Sequence, residues 1–316
     1  MPPTIGTFVD FALMVEPQLG GTYEDLLSLA RWAEVSGFVS ITRSDHYYSS
    51  RQPPPPATDA FATIAGLARE TDTIRLCILV TPITFRHPAV VAKMAATIDQ
   101  MSAGRLDLGV GTGWMDLEHE AFGLPFPPWS ERFARLEEAL QYLEAALGPG
   151  AGRFDGAYYS IDAEAHPKPD RRIPIIIGGS GPKKTPALAG RYADEYNHFL
   201  GPIDRMKARR EAMRSAARAA GRDPDAIVYS AVSGVIGGLT DADYRERLAA
   251  AAVRRDMEPE ALEARLEERG TIHGSAEQIA EHVDAIEASG VSKLYLQFFS
   301  MPTLEEVAQV WKVVQP

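Results

Sequence analysis

The sequence predicts a closed (β/α)8 barrel, and three observations carry that prediction. Strand-like and helix-like segments alternate along the 316 residues, eight strands each leading into a helix. The strand segments are dense in apolar and β-branched residues, as parallel strands covered on both faces require. The first strand-to-helix turn, Phe11–Gly21, lacks the glycine fingerprint that an open dinucleotide-binding sheet would carry there. The expectation is one barrel domain over residues 1–316, with insertions after strands four and seven.

Taken in order, Thr7–Leu13 is the first strand, and Tyr23–Val35 follows with Leu26, Leu27, Ala30 and Ala33 at helical spacing until Gly37 ends it. Phe38–Thr42 is the second strand and Asp59–Thr71 the second helix. Ile74–Thr81 (IRLCILVT) is an almost unbroken apolar strand. Pro88–Met101 is the third helix, and Arg105–Val110 a fourth strand ending in a glycine turn. The first insertion, Trp114–Trp129, is rich in proline and aromatic residues. Ser130 then reads as the N-cap of a helix to Leu147, with Arg132, Arg135 and Glu138 on its wet face.

Arg153–Ile161 has strand character on both sides of Asp155-Gly156, which signals a hairpin. Ile173–Ile177 is the fifth strand, Lys183–Tyr192 its helix, and Glu195–Phe199 the sixth strand. Ile227–Ile236 is the seventh strand. Asp241–Arg269, charged and alanine-rich, is a helical insertion before that strand's own helix. Val291–Phe298 is the eighth strand, and Leu304–Val314 closes the chain as a helix. Pro53–Pro56 is a stiff extended turn.

Charge and composition exclude several classes. The chain carries 32 Lys+Arg against 43 Asp+Glu, a net of −11, which disfavours polyanions as partners. Its basic cluster, Arg205 to Arg222, has the period of one solvated helix face rather than a nucleic-acid stripe. Cys77, the single cysteine, excludes an internal disulfide and any multi-cysteine metal centre. No apolar run is long enough to cross a bilayer, and MPPTIGTFVDFALM lacks the features of a signal peptide, so a cytoplasmic location is expected.

In a barrel the chemistry belongs at the C-terminal ends of the strands. Four segments qualify: Arg43–Tyr48, Thr81–His87, Gly111–Trp114 and Gly178–Thr185. In the last, glycines let backbone N–H groups approach an anion, and a helix N-terminus follows. Lys183 and Lys184 sit where cations are unfavourable unless an anion binds. A tight turn with two solvated lysines and a phosphate site both fit these residues.

His46 is suited to moving a proton near neutral pH. Asp45 precedes it, and adjacent strand residues face opposite ways, so Asp45 is not expected to hold His46. His87, before Pro88, reads as the start of a helix. His46, His87 and Glu118 lie on three loops without metal-ligand spacing, and no metal is expected. Trp114, Phe122, Phe126 and Trp129 either wall a planar ligand or roof the barrel. Phe11, Phe85, Trp114 and His198 are expected to line the substrate pocket.

The run TPITFRHPAVVAKMAATIDQMSAGRLDLGVGTGW resembles the signature of the luciferase-like monooxygenase superfamily. So do IPIIIGGSGPKKTPALAGRYADEYN and GTIHGSAEQIAEHVDAIEASGVSKLYLQF. Within it the chain is most similar to the branch that uses the deazaflavin coenzyme F420 in place of FMN. Ser44-Asp45-His46 is similar to the motif of F420-dependent glucose-6-phosphate dehydrogenases.

The resemblance implies hydride transfer between F420 and a bound small molecule, in a barrel that is usually a homodimer. Asp45 and His46 would lie near the ring, with His46 as proton partner. The backbone of Ile78, Leu79, Val80 and Thr81 would back the ring, where relatives often have a non-prolyl cis peptide. Gly111, Thr112 and Gly113 would border the cofactor tail, and Gly179, Ser180, Gly181, Pro182, Lys183 and Lys184 would take its phosphate. Lys183, Lys184 and Arg43 are the cations that would favour F420, which has a polyglutamate tail.

One departure stands out. Where the sugar-phosphate dehydrogenases carry a glutamate past the glycine turn, this chain has Trp114, which points to an apolar or aromatic substrate; Glu118 is either a substitute acid or a cap of the short segment after Trp114. The competing readings are an FMN-dependent monooxygenase using oxygen and a non-catalytic flavin-binding scaffold. For the dimer, the segments of interest are Phe61, Ile64 and Leu67 with Val90 and Met94.

Overall fold

The computed structural model describes residues 9–50 and 53–315, so Thr7 and Phe8 of the expected first strand lie outside the described residues. Eight parallel strands close on themselves: β1 (Asp10–Val15), β2 (Ser40–Arg43), β3 (Arg75–Pro82), β4 (Leu106–Gly111), β5 (Ile175–Gly178), β6 (Glu195–Phe199), β7 (Val228–Ser233) and β8 (Lys293–Phe298). Closure runs from Asp10 opposite Lys293 to Val15 opposite Phe298, with Ala12 opposite Ser40 on the other side.

Strand parity divides the core into two layers. Ala12, Met14, Cys77, Leu79, Ile176, Val232 and Tyr295 fill the barrel interior. Phe11, Leu13, Val15, Ile41, Leu76, Ile78 and Tyr196 point outward into the layer under the helices. Phe11 was expected in the substrate pocket. It instead packs edge-on against Trp311, ring centroids 5.8 Å apart, because its neighbours Ala12 and Met14 take the inward positions.

The helices are α1 (Tyr23–Ser36), α2 (Ala60–Glu70), α3 (Pro88–Met101), α4 (Asp116–Phe122), α5 (Trp129–Leu147), α6 (Lys184–Tyr192), α7 (Ile203–Ala219), α8 (Asp241–Val253), α9 (Pro259–Arg269), α10 (Ala276–Ala288) and α11 (Leu304–Val314). Local chemistry starts and stops them. Thr22 and Asp25 form a reciprocal capping box on α1, and Gly37 takes the left-handed conformation that ends it. His87 caps α3 by accepting the Ala89 N–H through Nδ1, as its place before Pro88 predicts. Phe61, Ile64 and Leu67 of α2 are buried against the barrel and offer nothing to a partner, whereas Val90 is exposed.

Two expectations shift. Helix α5 begins at Trp129, after Pro128, one residue before the anticipated cap. Strand seven ends at Ser233, and Val235–Gly238 leaves the barrel to pair in parallel with Ile272–Ser275. That small ribbon brackets α8 and α9, the inserted helical pair. The hairpin at Asp155-Gly156 forms as expected, Gly152–Asp155 against Ser160–Ala163. Among the described residues no helix is long and apolar enough to cross a membrane.

Candidate active site

The loops after β2, β3 and β4 meet at the C-terminal mouth. His46, leaving β2, meets Glu118 from the first turn of α4: Nδ1–H donates to both carboxylate oxygens, at 3.0 and 3.1 Å. The Tyr47 N–H donates to the same carboxylate at 3.2 Å. Glu118 is buried and His46 retains partial exposure. Burial alone would discharge the imidazole, but Glu118, then Glu16 and Asp45, hold its pKa above the ordinary value. With Nδ1 committed, Nε2 is the nitrogen that can exchange a proton.

Asp45 and His46 both lie past the end of β2, and Asp45 takes a different partner. Its carboxylate receives both terminal nitrogens of Arg86, at 2.5 and 3.2 Å. Arg86 also donates to Asp59 at 2.6 Å, and its guanidinium lies over the rings of Phe61 and Tyr47. Burial still outweighs that pairing and raises the Asp45 pKa. Arg43, expected as a cation at the mouth, is fully buried. It donates to the Ser44 and Thr58 carbonyls and to the Thr58 and Thr63 hydroxyls, and burial lowers its pKa to about 10. It braces the loop and is not available to a ligand.

A third carboxylate, Glu16, follows β1 directly and carried no motif that would single it out. It accepts hydrogen bonds from Gln18 Nε2 at 2.7 Å, from Gln297 Nε2 at 2.6 Å and from Ser44 Oγ. Among the described residues no Lys or Arg pairs with it. The amide of Gln297 is oriented by that bond, and its Oε1 is buried without a partner.

The wall between β3 and β5 is built around a non-prolyl cis peptide, Leu79–Val80, where the β3–β4 register shifts. Glycines make room for it: a Cβ at Gly111 would come within 2.7 Å of Val80 Cγ2, and one at Gly178 within 2.8 Å of Cγ1. Ile78 points outward, so it presents only backbone to the mouth. Thr81 Oγ1 accepts from Arg86 at 3.3 Å.

Gly113 is pinned by Arg132, which donates to its carbonyl at 2.6 Å and stacks on Phe126 and Trp129. Arg132 is therefore buried, not on the wet face of α5 where helical spacing placed it. His119 fastens α4 in a similar way, between Thr84 Oγ1 and the Met115 carbonyl. Trp114 stands exposed at the rim, edge-on to the His46 ring at 5.5 Å. Phe85 stacks on Tyr47 at 4.5 Å, and Phe122 meets the same tyrosine at 5.6 Å.

After β5, Gly179 adopts a positive φ of 147°. A Cβ on Gly179 or Gly181 would crowd Thr185 Oγ1, at 3.3 and 3.2 Å. Ser180 Oγ accepts the Phe199 N–H and ties the loop to β6. Helix α6 has no side-chain cap, and Lys183 and Lys184 flank its start, exposed. Close backbone approach, open N–H groups and two cations fit a phosphate.

His198, the remaining pocket candidate, is turned the other way. Glu195 and Asn197 take the inward positions of β6, bonding to Ser230, so His198 lies outside the barrel wall, 4.8 Å from the Tyr229 ring. Its Nδ1–H donates to the Phe199 carbonyl, Nε2 is buried without a partner, and burial lowers its pKa to about 4.

Comparison with known proteins agrees with this architecture. The family profile described as luciferase-like monooxygenase matches residues 4–293. An F420-dependent glucose-6-phosphate dehydrogenase of Microbacterium testaceum is 37% identical over 174 residues, 54% of this chain and 51% of that protein. That of Beutenbergia cavernae is 36% identical over the same shares. The match thus spans about half the length of these relatives. Among solved structures, an F420-dependent secondary alcohol dehydrogenase in complex with an F420-acetone adduct superposes with a TM-score of 0.80 at 22% identity, covering 98% of this chain and 99% of that one. A monooxygenase of Streptomyces bottropensis gives 0.82 at 21%, covering 97% and 98%. At such identities the likeness is one of fold.

Proposed function

Because the chain belongs to the luciferase-like monooxygenase family, we propose that it is an F420-dependent oxidoreductase that transfers a hydride between this cofactor and a small organic substrate at the barrel mouth. The observation that carries the proposal is the His46–Glu118 pair, a proton-exchanging group on the loops that leave the C-terminal ends of the barrel strands.

The residues fit the cofactor. Gly179, Gly181 and the open first turn of α6 would hold its phosphate, and Lys183 and Lys184 would meet its anionic tail. The backbone of Leu79–Val80 and the Gly111–Gly113 turn would back the ring and border the tail. When bound, F420 supplies a two-electron hydride donor or acceptor.

His46 Nε2 gives or takes the proton that accompanies the hydride. Glu118 orients the ring through Nδ1–H and favours its protonated form. Being buried and spent on His46, it acts as a positioning residue and not as the substitute acid expected from the sequence. Asp45, locked on Arg86, holds the loops after β2 and β3 together. The protein is further read as one barrel unit that pairs as a homodimer through its outer helices, Val90 among the exposed candidates.

Titration of the purified protein with F420 and, separately, with FMN tests the assignment through tryptophan quenching and cofactor fluorescence. The expected result is binding of F420 at least about tenfold tighter than FMN. Tighter FMN binding would move the protein to the oxygen-using flavin monooxygenases. Binding of neither would remove the cofactor assignment.

A further inference from the structure

We propose that the substrate is a flat, uncharged, conjugated carbonyl compound stacked against Trp114, and that Trp114 is the residue that selects it. The inference rests on the hydride-transfer reading above and goes beyond it by naming the substrate class.

Two independent features of the mouth lead there. The first is apolar surface beside the proton-exchanging group. Trp114 is 65% exposed with its ring at the edge of His46. Phe122, also exposed, meets the ring of Tyr47, the residue next to His46. Large apolar side chains left open around a proton donor suit a ligand whose own face is apolar, and indole offers a π-surface to a flat one.

The second feature is electrostatic. Among the described residues, Arg43 is engaged by carbonyls and hydroxyls and Arg86 by Asp45 and Asp59, while Arg132 is buried with Nη1 on the Gly113 carbonyl. Carboxylates predominate instead. Glu16 and Glu118 are buried close to His46, and Asp116 and Glu120 are exposed on α4. A phosphorylated sugar placed here would bring a dianion into a field of like charge, with no free guanidinium among the described residues named above to receive it.

A carbonyl suits the proton donor. In the reducing direction the carbonyl carbon accepts a hydride, with its electron pair, from the reduced deazaflavin, and the C=O π bond breaks. The oxygen takes the proton of His46 Nε2, giving an alcohol and the oxidised cofactor. The reverse sequence oxidises the alcohol.

Calorimetric titration of the protein saturated with oxidised F420, which fills the Gly179–Lys184 phosphate site, with 4-phenyl-3-buten-2-one and with glucose 6-phosphate tests the assignment without relying on turnover. Wild-type protein is expected to bind the ketone and to give no saturable heat with the sugar phosphate at millimolar concentration. Trp114→Ala should weaken the ketone about tenfold, Trp114→Phe should restore most of it, and F420 fluorescence titration should be unchanged in both. Ketone binding untouched by Trp114→Ala, or sugar phosphate binding tighter than the ketone, would overturn the proposal. F420 binding without ketone binding refutes the substrate class alone, whereas loss of both refutes the cofactor reading as well.

Discussion

The two ends of the barrel interior handle buried charge differently. At the base, Glu195 receives Lys293 Nζ at 3.1 Å, Tyr295 Oη at 2.7 Å and Ser230 Oγ at 2.6 Å, and Arg75 clasps Asp107. Each of these two carboxylates has a cation. Burial alone would discharge Lys293, yet Glu195 and Asp107 hold its pKa above the ordinary lysine value. At the mouth, Glu16 is satisfied by neutral donors only, His46 keeps one nitrogen uncommitted, and Gln297 Oε1 has no partner. A saturated network stabilises and does nothing else, while chemistry needs groups left partly unspent.

The largest expected effect comes from breaking the base. Lys293→Met strands the Glu195 carboxylate and should cost about 3–5 kcal/mol of stability, read by urea denaturation. F420 affinity of the folded fraction should not change. A loss below about 1 kcal/mol would show that the base is not the tightly paired network its distances describe.

Changes at the mouth should act on turnover instead. His46→Asn should lower kcat by about 10²-fold or more with little change in Tm. Glu118→Gln should cost less, and its signature is in pH. The raised His46 pKa means that this pair stabilises the fold fully below the unfolded imidazole value of about 6.5, and that the contribution fades as pH rises through the folded value. Glu118→Gln should therefore move the alkaline limb of the rate profile to lower pH. An unmoved limb would mean that Glu118 does not set the charge of His46.

The smallest effect concerns His198, on the same rim but outside the wall. Its folded pKa of about 4 lies below the unfolded value, so the unfolded chain takes up a proton that the folded one refuses. Stability should be full above about pH 6.5 and fall as pH drops toward 4. His198→Phe should flatten that slope and leave turnover within about twofold. A tenfold loss of kcat would return His198 to the pocket.

The first strand runs to Val15 rather than Leu13, which puts Glu16 directly at its C-terminal end, and Phe11 takes the outward parity. In β6 the alternation was visible, but nothing local says which parity faces the axis. Arg132 looked solvated because helical spacing does not know about the Gly113 carbonyl folded over it.

The sequence by itself determined the succession of strands and helices, the glycine-lysine turn before α6 and the placing of Asp45-His46 at a strand end. These follow from periodicity and local turn chemistry, which act over a few residues. Only the tertiary structure decided that His46 meets Glu118, 72 positions away, that Arg86 rather than Arg43 takes Asp45, and that His198 turns outward. Those choices depend on how eight strands tilt and register when the barrel closes, and closure is a property of the whole chain.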